Sequence, residues 1–200
     1  MTPRRLSTPD VRTARLLLTP CTRGDEEASV ALFQDVRASW WMGEGPSTGA
    51  GDRALFGRVF TDVYARGLFD AWAVREDGGM AGRAETKPAP ASGGHGIVHA
   101  LAPAAWDGLG TGLAGALAGH GAVPLGLREA HATVAAEHGP SLALLRRIGF
   151  RHVRDIREAD GSTARLLTRT RERTPRRTPG SPPRQAYAPD CLVPWLAPLP

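Results

Sequence analysis

Lysine is almost absent from this chain. Of the 25 basic residues among its 200, only Lys87 is a lysine, and the arginines accompany abundant alanine, glycine and proline. This composition indicates a bias of the coding sequence. No basic helix and no alternation of aromatic with basic residues supports a nucleic-acid surface. We therefore expect no nucleic-acid partner.

Cysteine and long apolar runs are also scarce. Cys21 and Cys191 lie near opposite ends of the chain, which predicts neither a disulfide framework nor a cysteine metal site. The six histidines lack the close pairing of zinc ligands, so we expect no metal. No apolar stretch approaches the roughly 18 residues of a membrane span, and the first residues lack the apolar segment of a secretory signal. We expect a cytoplasmic protein with no membrane partner.

Charge and composition divide the chain into three parts. The net charge is +5, and residues 171–200 hold five arginines against two acidic residues, which leaves the rest close to neutral. That stretch is rich in proline and arginine and is predicted to be a disordered tail. Residues 1–10 are predicted to be a flexible arm, and residues 11–170 have the length of one domain.

The pattern of apolar residues predicts an α+β domain, a mixed β-sheet with flanking helices. Asp77-Gly78 between two strand-like runs is a strong hairpin signal, and Asp160-Gly161 predicts a second hairpin. Residues 88–94 are predicted to be a flexible connection. The predicted strands are residues 15–18, 71–75, 80–85, 97–101, 131–135, 150–156 and 164–168. Four helices are predicted. They begin at Gly24, at the capping residue Asp52, near Leu113 and at Pro140.

Residues 106–112, Trp-Asp-Gly-Leu-Gly-Thr-Gly, lie between a strand-like run and a helix-like run. Closely spaced glycines let backbone N–H groups converge on one point, and the following helix adds the positive end of its dipole. The stretch therefore predicts a site for a phosphate-bearing ligand. A plain turn that opens a helix is the alternative.

The order of the segments resembles a known family. A strand, a glycine-rich loop, a helix, a second strand and a helix that ends in Ile148-Gly149-Phe150 follow one another as in the acetyl-CoA-dependent N-acetyltransferases of the GNAT superfamily. Residues 13–20, Thr-Ala-Arg-Leu-Leu-Leu-Thr-Pro, are similar to the branch that holds the ribosomal-protein N-terminal acetyltransferases. The resemblance covers residues 11–170. It implies two splayed parallel strands that hold acetyl-CoA as cosubstrate, and direct acetyl transfer to a primary amine.

The resemblance also implies a set of coenzyme contacts. His138, at the start of the second helix, contacts the coenzyme, and the pantetheine lies along the first of the two strands. The implied pantetheine residues are His99, Ala100 and Leu101, and the implied pyrophosphate residues are Gly108, Leu109, Gly110, Thr111 and Gly112.

The implied chemistry rests on two further residues. Ser141 protonates the leaving thiolate as general acid, or it only caps its helix. Glu85 accepts the proton of the amine through a water, or it is an ordinary solvated strand residue. The acceptor is a protein N-terminus or a small-molecule amine, and the chain is a monomer or a homodimer. Five aromatic residues line an acceptor pocket or belong to the core: Trp40, Trp41, Phe56, Phe60 and Trp72.

Several positions depart from the family pattern. The glycine loop is one residue short and carries Asp107 beside the expected phosphates. Gly96 stands where many relatives have a strand glutamate, and Gly112 stands where a glutamate often follows the threonine. His99 replaces a common tyrosine and His138 a common asparagine. These departures leave open a second function, a catalytically weak or silent domain that binds acyl-CoA.

A dinucleotide-binding protein is the other enzyme class considered. Residues 110–115 fit the pattern G-x-G-x-x-G, and Glu129 lies about 20 residues further on. The position of Glu129 argues against this class. The dinucleotide fold has its acidic residue at the end of the second strand, whereas Glu129 precedes a predicted strand. Too few βα units surround the motif as well.

Overall fold

The computed structural model of the chain describes residues 8–42, 48–89, 92–122 and 124–171. The predicted tail from residue 172 onward and residues 1–7 of the predicted arm lie outside the described residues. The strands are β1 Val11–Arg12, β2 Leu17–Pro20, β3 Asp70–Glu76, β4 Gly79–Ala89, β5 Gly94–Leu101, β6 Glu129–Ala135, β7 Arg151–Arg157 and β8 Thr163–Thr170. The helices are α1 Glu26–Gln34, α2 Val36–Ser39, α3 Gly49–Arg58 with a π-helical continuation Val59–Tyr64, α4 Leu109–Ala122 and α5 Gly139–Arg147.

The strands form one mixed sheet in the order β1-β2-β3-β4-β5-β6-β8-β7. Only β5 and β6 run parallel among the paired strands of the described residues; the other neighbours are antiparallel. Both predicted hairpins are present. Asp77 and Gly78 have φ angles of 49° and 83°, so both residues between β3 and β4 are left-handed, as a type I′ hairpin turn requires.

Helices cover both faces of the sheet. The main core lies between the sheet and helices α4 and α5, where Trp72, Leu113, Leu117 and Leu145 are almost completely buried. On the opposite face, Phe56 of α3 packs with Cys21 and Ala73, and Leu32, Phe33 and Ala38 of α1 and α2 pack with Ala100 of β5. Side chains of successive strand residues therefore alternate between two apolar layers.

Two element boundaries predicted from the sequence are wrong. Strand β2 begins at Leu17 and not at Arg15, because Thr13 and Leu16 close a turn in which the Leu16 N–H donates to Thr13 Oγ1 at 2.8 Å. The predicted connection of residues 88–94 is shorter than expected, since β4 continues through Ala89 and β5 begins at Gly94. Antiparallel pairing with β5 extends to the end of β4, and Pro88 is accommodated in this ladder.

The cap of α3 also differs from the prediction. Thr48 is the N-cap residue, and its Oγ1 accepts a hydrogen bond from the Gly51 N–H at 3.1 Å. Asp52 lies within the helix, is buried, and accepts a hydrogen bond from Gln34 Nε2 of α1. Threonine and aspartate both suit an N-cap position, so residue type alone does not choose between them.

Two buried polar contacts anchor the layers around Trp72. Its indole Nε1 donates to the Pro9 carbonyl at 2.7 Å, so chain contacts with the domain begin before β1. His120, near the end of α4, lies 2.8 Å from the Asp70 carboxylate of β3, and both side chains are buried. This pair fixes one end of α4 to the sheet and so fixes the direction in which its other end points.

Candidate active site

A cleft opens between the two parallel strands. Within the described residues, β5 and β6 pair only at His95 with Ala130 and at Gly96 with His131, whereas β5 stays paired with β4 as far as Leu101. Beyond Gly96 the two strands therefore diverge, and the backbone groups of β5 on that side have no strand partner. The predicted pair of splayed strands is confirmed. The cleft widens toward the first turns of α4 and α5.

The glycine stretch differs in detail from the prediction. Gly108 is left-handed, with a φ of 78°, and its N–H donates to the Trp106 carbonyl at 2.8 Å. Helix α4 then begins at Leu109 and not near Leu113, so Gly110, Thr111 and Gly112 belong to its first turn. The N–H groups of a first turn have no acceptor within the helix. These donors and the positive helix end suit an anion.

The two glycines of that turn have different surroundings. A Cβ atom on Gly110 would lie 2.7 Å from Leu144 Cδ1, so Gly110 lets α5 approach α4 closely. A Cβ on Gly112 would meet nothing within 4 Å. Gly110 therefore has a packing role, and Gly112 faces open space at the end of the cleft.

Arg15 is a charged neighbour of this loop that the sequence did not reveal as a site residue. Its guanidinium donates to Glu76 Oε1 at 2.8 Å and to the Asp107 carbonyl at 3.3 Å. The side chain is 59% exposed, and the contact joins residues 92 positions apart in the chain. It places a cation beside the loop in which Asp107 adds a negative charge. No local sequence pattern signals such a long-range contact.

The dinucleotide interpretation is wrong. Its G-x-G-x-x-G run lies inside α4, and Glu129 is the first residue of β6, where the dinucleotide fold requires an acidic residue at the end of a strand. The mainly antiparallel sheet also lacks the repeated βα units of that fold.

The predicted pantetheine residues border the cleft mainly through their backbone. The side chain of Ala100 faces α1 and α2, and Leu101 belongs to the main core beneath α4. His99 is on the α4 and α5 side of β5 and is partly buried. Burial lowers the pKa of His99 to about 4, with a smaller contribution from the nearby His138. The imidazole is therefore neutral at neutral pH.

His138 and Ser141 lie together at the start of α5. His138 is the N-cap residue of α5, and its side chain makes no cap hydrogen bond. Burial lowers the pKa of His138 as well. The His138 ring lies 4.3 Å from the ring of Trp41, which reaches it from the end of α2. Ser141 lies in the first turn of α5, three residues after His138.

Glu85 is buried, so the expectation of an ordinary solvated strand residue is wrong. Its side chain is 7% exposed, and Lys87 Nζ lies 3.1 Å from Oε2 while Arg83 Nη2 lies 3.7 Å from Oε1. The three side chains alternate along β4 and share the face covered by α1 and α3, where Arg83 also lies over the Phe56 ring. Two cations therefore flank this carboxylate.

Ser141 and Glu85 are associated with opposite faces of the sheet. Ser141 belongs to a helix that packs with α4, and Glu85 points toward α1 and α3. The gap between β5 and β6 connects the two faces of the sheet. A ligand in this gap is open to groups from both sides.

The five aromatic residues divide between core and surface. Trp72 and Phe56 are buried, and Phe60 packs between Phe56 and Tyr64, so the core interpretation holds for these three. Trp40 and Trp41 are 65% and 41% exposed, and Trp41 contacts His138 at the start of α5. In the described part of the chain no three His, Cys, Asp or Glu side chains are grouped as metal ligands. None of the helices described there is long and apolar enough to cross a membrane.

Comparison with known proteins gives a consistent result. The chain resembles solved structures of an acetyltransferase of the GNAT family from Bacillus anthracis (TM-score 0.70, 17% identity, 81% of this chain and 98% of that one) and of spermidine N-acetyltransferase from Vibrio cholerae in complex with CoA and spermine (0.67, 15%, 79% and 96%). A third is the Salmonella typhimurium acetyl transferase that modifies the N-terminal serine of ribosomal protein L7/L12 (0.68, 16%, 82% and 100%).

These likenesses show the fold. No curated protein matches significantly in sequence. The family model described as the acetyltransferase (GNAT) domain matches residues 15–151, which include the cleft, the first turn of α4 and all of α5. On this match and on the splayed strands, the chain belongs to the GNAT acetyltransferase family.

Proposed function

We propose that this protein transfers an acetyl group from acetyl-CoA directly to a primary amine. The observation that carries the proposal is the cleft between β5 and β6, which opens beyond Gly96 beside the free N–H groups in the first turn of α4. Solved relatives named for a ribosomal-protein N-terminus and for spermidine support an amine as acceptor.

The residues present fit the coenzyme. The first turn of α4 supplies N–H donors for the pyrophosphate, the open side of β5 at residues 99–101 supplies backbone groups for the amides of the pantetheine, and His138 borders the same path. When bound, acetyl-CoA supplies the activated acetyl group. The chain's own contribution is positioning, proton transfer and the polarity of a partly enclosed site.

The proton balance of the transfer needs two groups of the chain. As the amine nitrogen bonds to the thioester carbon and the C–S bond breaks, the nitrogen loses a proton and the sulfur gains one. We assign the donor to Ser141 and the acceptor, through a water, to Glu85. The flanking Lys87 and Arg83 hold the Glu85 carboxylate in place. Proximity of the two reactants contributes a large part of the rate.

One observation favours a second function, a weakly active or silent acyl-CoA-binding domain. Gly96 offers no carboxylate at the point where the strands separate, and the Glu85 carboxylate is paired with two cations. The discriminating experiment is a calorimetric titration with coenzyme A followed by a thiol-release assay with acetyl-CoA and a panel of amines. Binding with amine-dependent release supports the enzyme. Binding without release for every amine supports the silent domain, and absence of binding refutes both.

A further inference from the structure

An exposed apolar surface lies at the end of α2. Of the five large apolar side chains that are exposed in the described residues, three fall within six positions: Val36, Trp40 and Trp41, exposed by 56%, 65% and 41%. Tryptophan is rarely left in water unless it binds something. We call these three residues the α2 patch.

The α2 patch borders the mouth of the cleft. On its inner side, Ala38 packs with Ala100 of β5, and Met42 packs against the same cluster. On its outer side, Trp41 contacts His138, which begins α5 immediately after β6. The turn at the end of α2 therefore reaches from β5 to the β6 side, across the point where an acceptor has to meet a thioester held in the cleft.

Two carboxylates on this side, among the residues that the structure describes, are paired with basic side chains of the chain. Asp35 caps α2 and binds Arg37 at 2.6 Å, and hydrogen bonds from Arg37 lower the pKa of that carboxyl group. Glu85 is flanked by Lys87 and Arg83. A polycation is attracted by several open carboxylates, whereas two indoles beside paired charges attract an apolar group and, more weakly, a single ammonium.

We infer that the α2 patch binds the acceptor and selects a primary amine that carries an aromatic or branched apolar group close to the nitrogen. The inference rests on the proposed function and names its substrate class. Two sources share this chemistry, a free arylalkylamine and a peptide with an apolar first residue. The experiment includes both.

The first measurement compares acceptors for the full chain at saturating acetyl-CoA. The acceptors are 2-phenylethylamine, ethanolamine, spermidine, and two tripeptide amides that begin with phenylalanine or serine. We expect the kcat/KM of the better apolar acceptor to exceed that of ethanolamine and of spermidine by about tenfold or more. An aromatic contact in a partly enclosed site provides a preference of this size. The better of phenylethylamine and the phenylalanine peptide identifies the source. A preference for spermidine, or no difference between phenylethylamine and ethanolamine, overturns the inference.

The second measurement uses variants of the patch. Trp40→Ala and Trp41→Ala are expected to raise the KM for the apolar acceptor about fivefold to tenfold and to change that for ethanolamine and for acetyl-CoA less than about twofold. Trp40→Phe should recover most of the loss. Val153→Ala on β7, where the valine is 52% exposed, is the matched surface control and should change nothing. Equal losses for all acceptors would show a structural role and contradict the inference.

A binding measurement separates this inference from the proposed function. If no amine releases thiol, the proposed function fails, and calorimetric titration of phenylethylamine into the coenzyme-bound chain still tests the patch. Saturable binding that Trp40→Ala weakens supports the α2 patch as an amine site. Absence of binding, or binding that Trp40→Ala leaves unchanged, overturns it.

Discussion

The first turn of α4 allows a charge test of coenzyme binding. A side chain on Gly110 would collide with Leu144, so any substitution there mixes repacking of α5 with its effect on a ligand. A side chain on Gly112 has open space. Gly112→Asp adds one negative charge close to the proposed pyrophosphate site, and Gly112→Asn adds nearly the same volume without the charge. The pair of variants isolates the electrostatic effect.

The aspartate should stabilise the free protein and weaken coenzyme binding. It replaces glycine in a helix and lies near the positive helix end, which together contribute about 0.5–1 kcal/mol to stability. The same charge roughly 7 Å from a diphosphate with two negative charges costs about 1–2 kcal/mol at an effective dielectric constant of about 40–80. Screening at about 0.15 M salt reduces this cost by roughly half. We therefore expect the Kd to rise about threefold at that salt concentration and about tenfold at about 0.01 M.

The assay is isothermal titration of coenzyme A into the wild-type chain and both variants at the two salt concentrations, together with thermal unfolding of the free proteins. A gain in the stability of the aspartate variant would confirm, independently of coenzyme binding, that Gly112 lies in the helical turn. Equal Kd values for the aspartate and asparagine variants, or a penalty that does not shrink with salt, would refute the assignment of this turn to the pyrophosphate.

Three further predictions concern the remaining site residues. Ser141→Ala should lower kcat by about 10² to 10⁴ with little change in the KM for acetyl-CoA, and a loss below about fivefold would remove Ser141 from the chemistry. Glu85→Gln should leave Lys87 and Arg83 without their buried counter-charge, lower the free energy of unfolding by about 1–3 kcal/mol and shift the pH dependence of the rate; an unshifted profile would mean that solvent deprotonates the amine. His99 takes up a proton near pH 6.5 when unfolded and near pH 4 when folded, so stability should fall as the pH drops through that window. His99→Asn should flatten this dependence in thermal unfolding at pH 7 and pH 4.5, and an equal slope in both proteins would assign it to other groups.

Local signals explain which parts of the fold the sequence predicts. Asp77-Gly78 requires two left-handed residues and Gly149 one, with a φ of 92°, and the chain turns at both places as predicted. The boundaries that failed depend on groups far apart in the sequence. Asp52 is a good capping residue by type, but its carboxylate is used by Gln34 of α1, and Thr48 caps the helix one turn earlier.

The candidate site shows the same division between local and long-range information. The glycine stretch and the start of α5 are continuous in sequence, so their positions beside the cleft follow from the family order. The burial of Glu85 depends on α1 and α3 covering one face of β4, which no pattern within β4 reveals. The alternation of Arg83, Glu85 and Lys87 does indicate a shared face, and this signal was available in the sequence. Trp72 and Trp41 have the same residue type and opposite environments, since only one of them belongs to a strand between two helical layers.

The surroundings of Gly96 bear on one departure from the family pattern, the glycine that stands in place of a strand glutamate. Gly96 pairs with Lys87 on one side and with His131 on the other, so a carboxylate at this position would lie between two basic side chains. Glu85 provides a carboxylate on the neighbouring strand β4, two residue pairs further along the ladder, and its Oε2 lies 3.1 Å from Lys87 Nζ. A Cβ on Gly96 would approach the Ala89 Cβ to 3.2 Å, so the neighbouring strand has closed over the glycine and leaves little room for a longer side chain. The acidic group near the point where β5 and β6 separate is therefore supplied by β4 and not by β5, and it lies on the sheet face covered by α1 and α3.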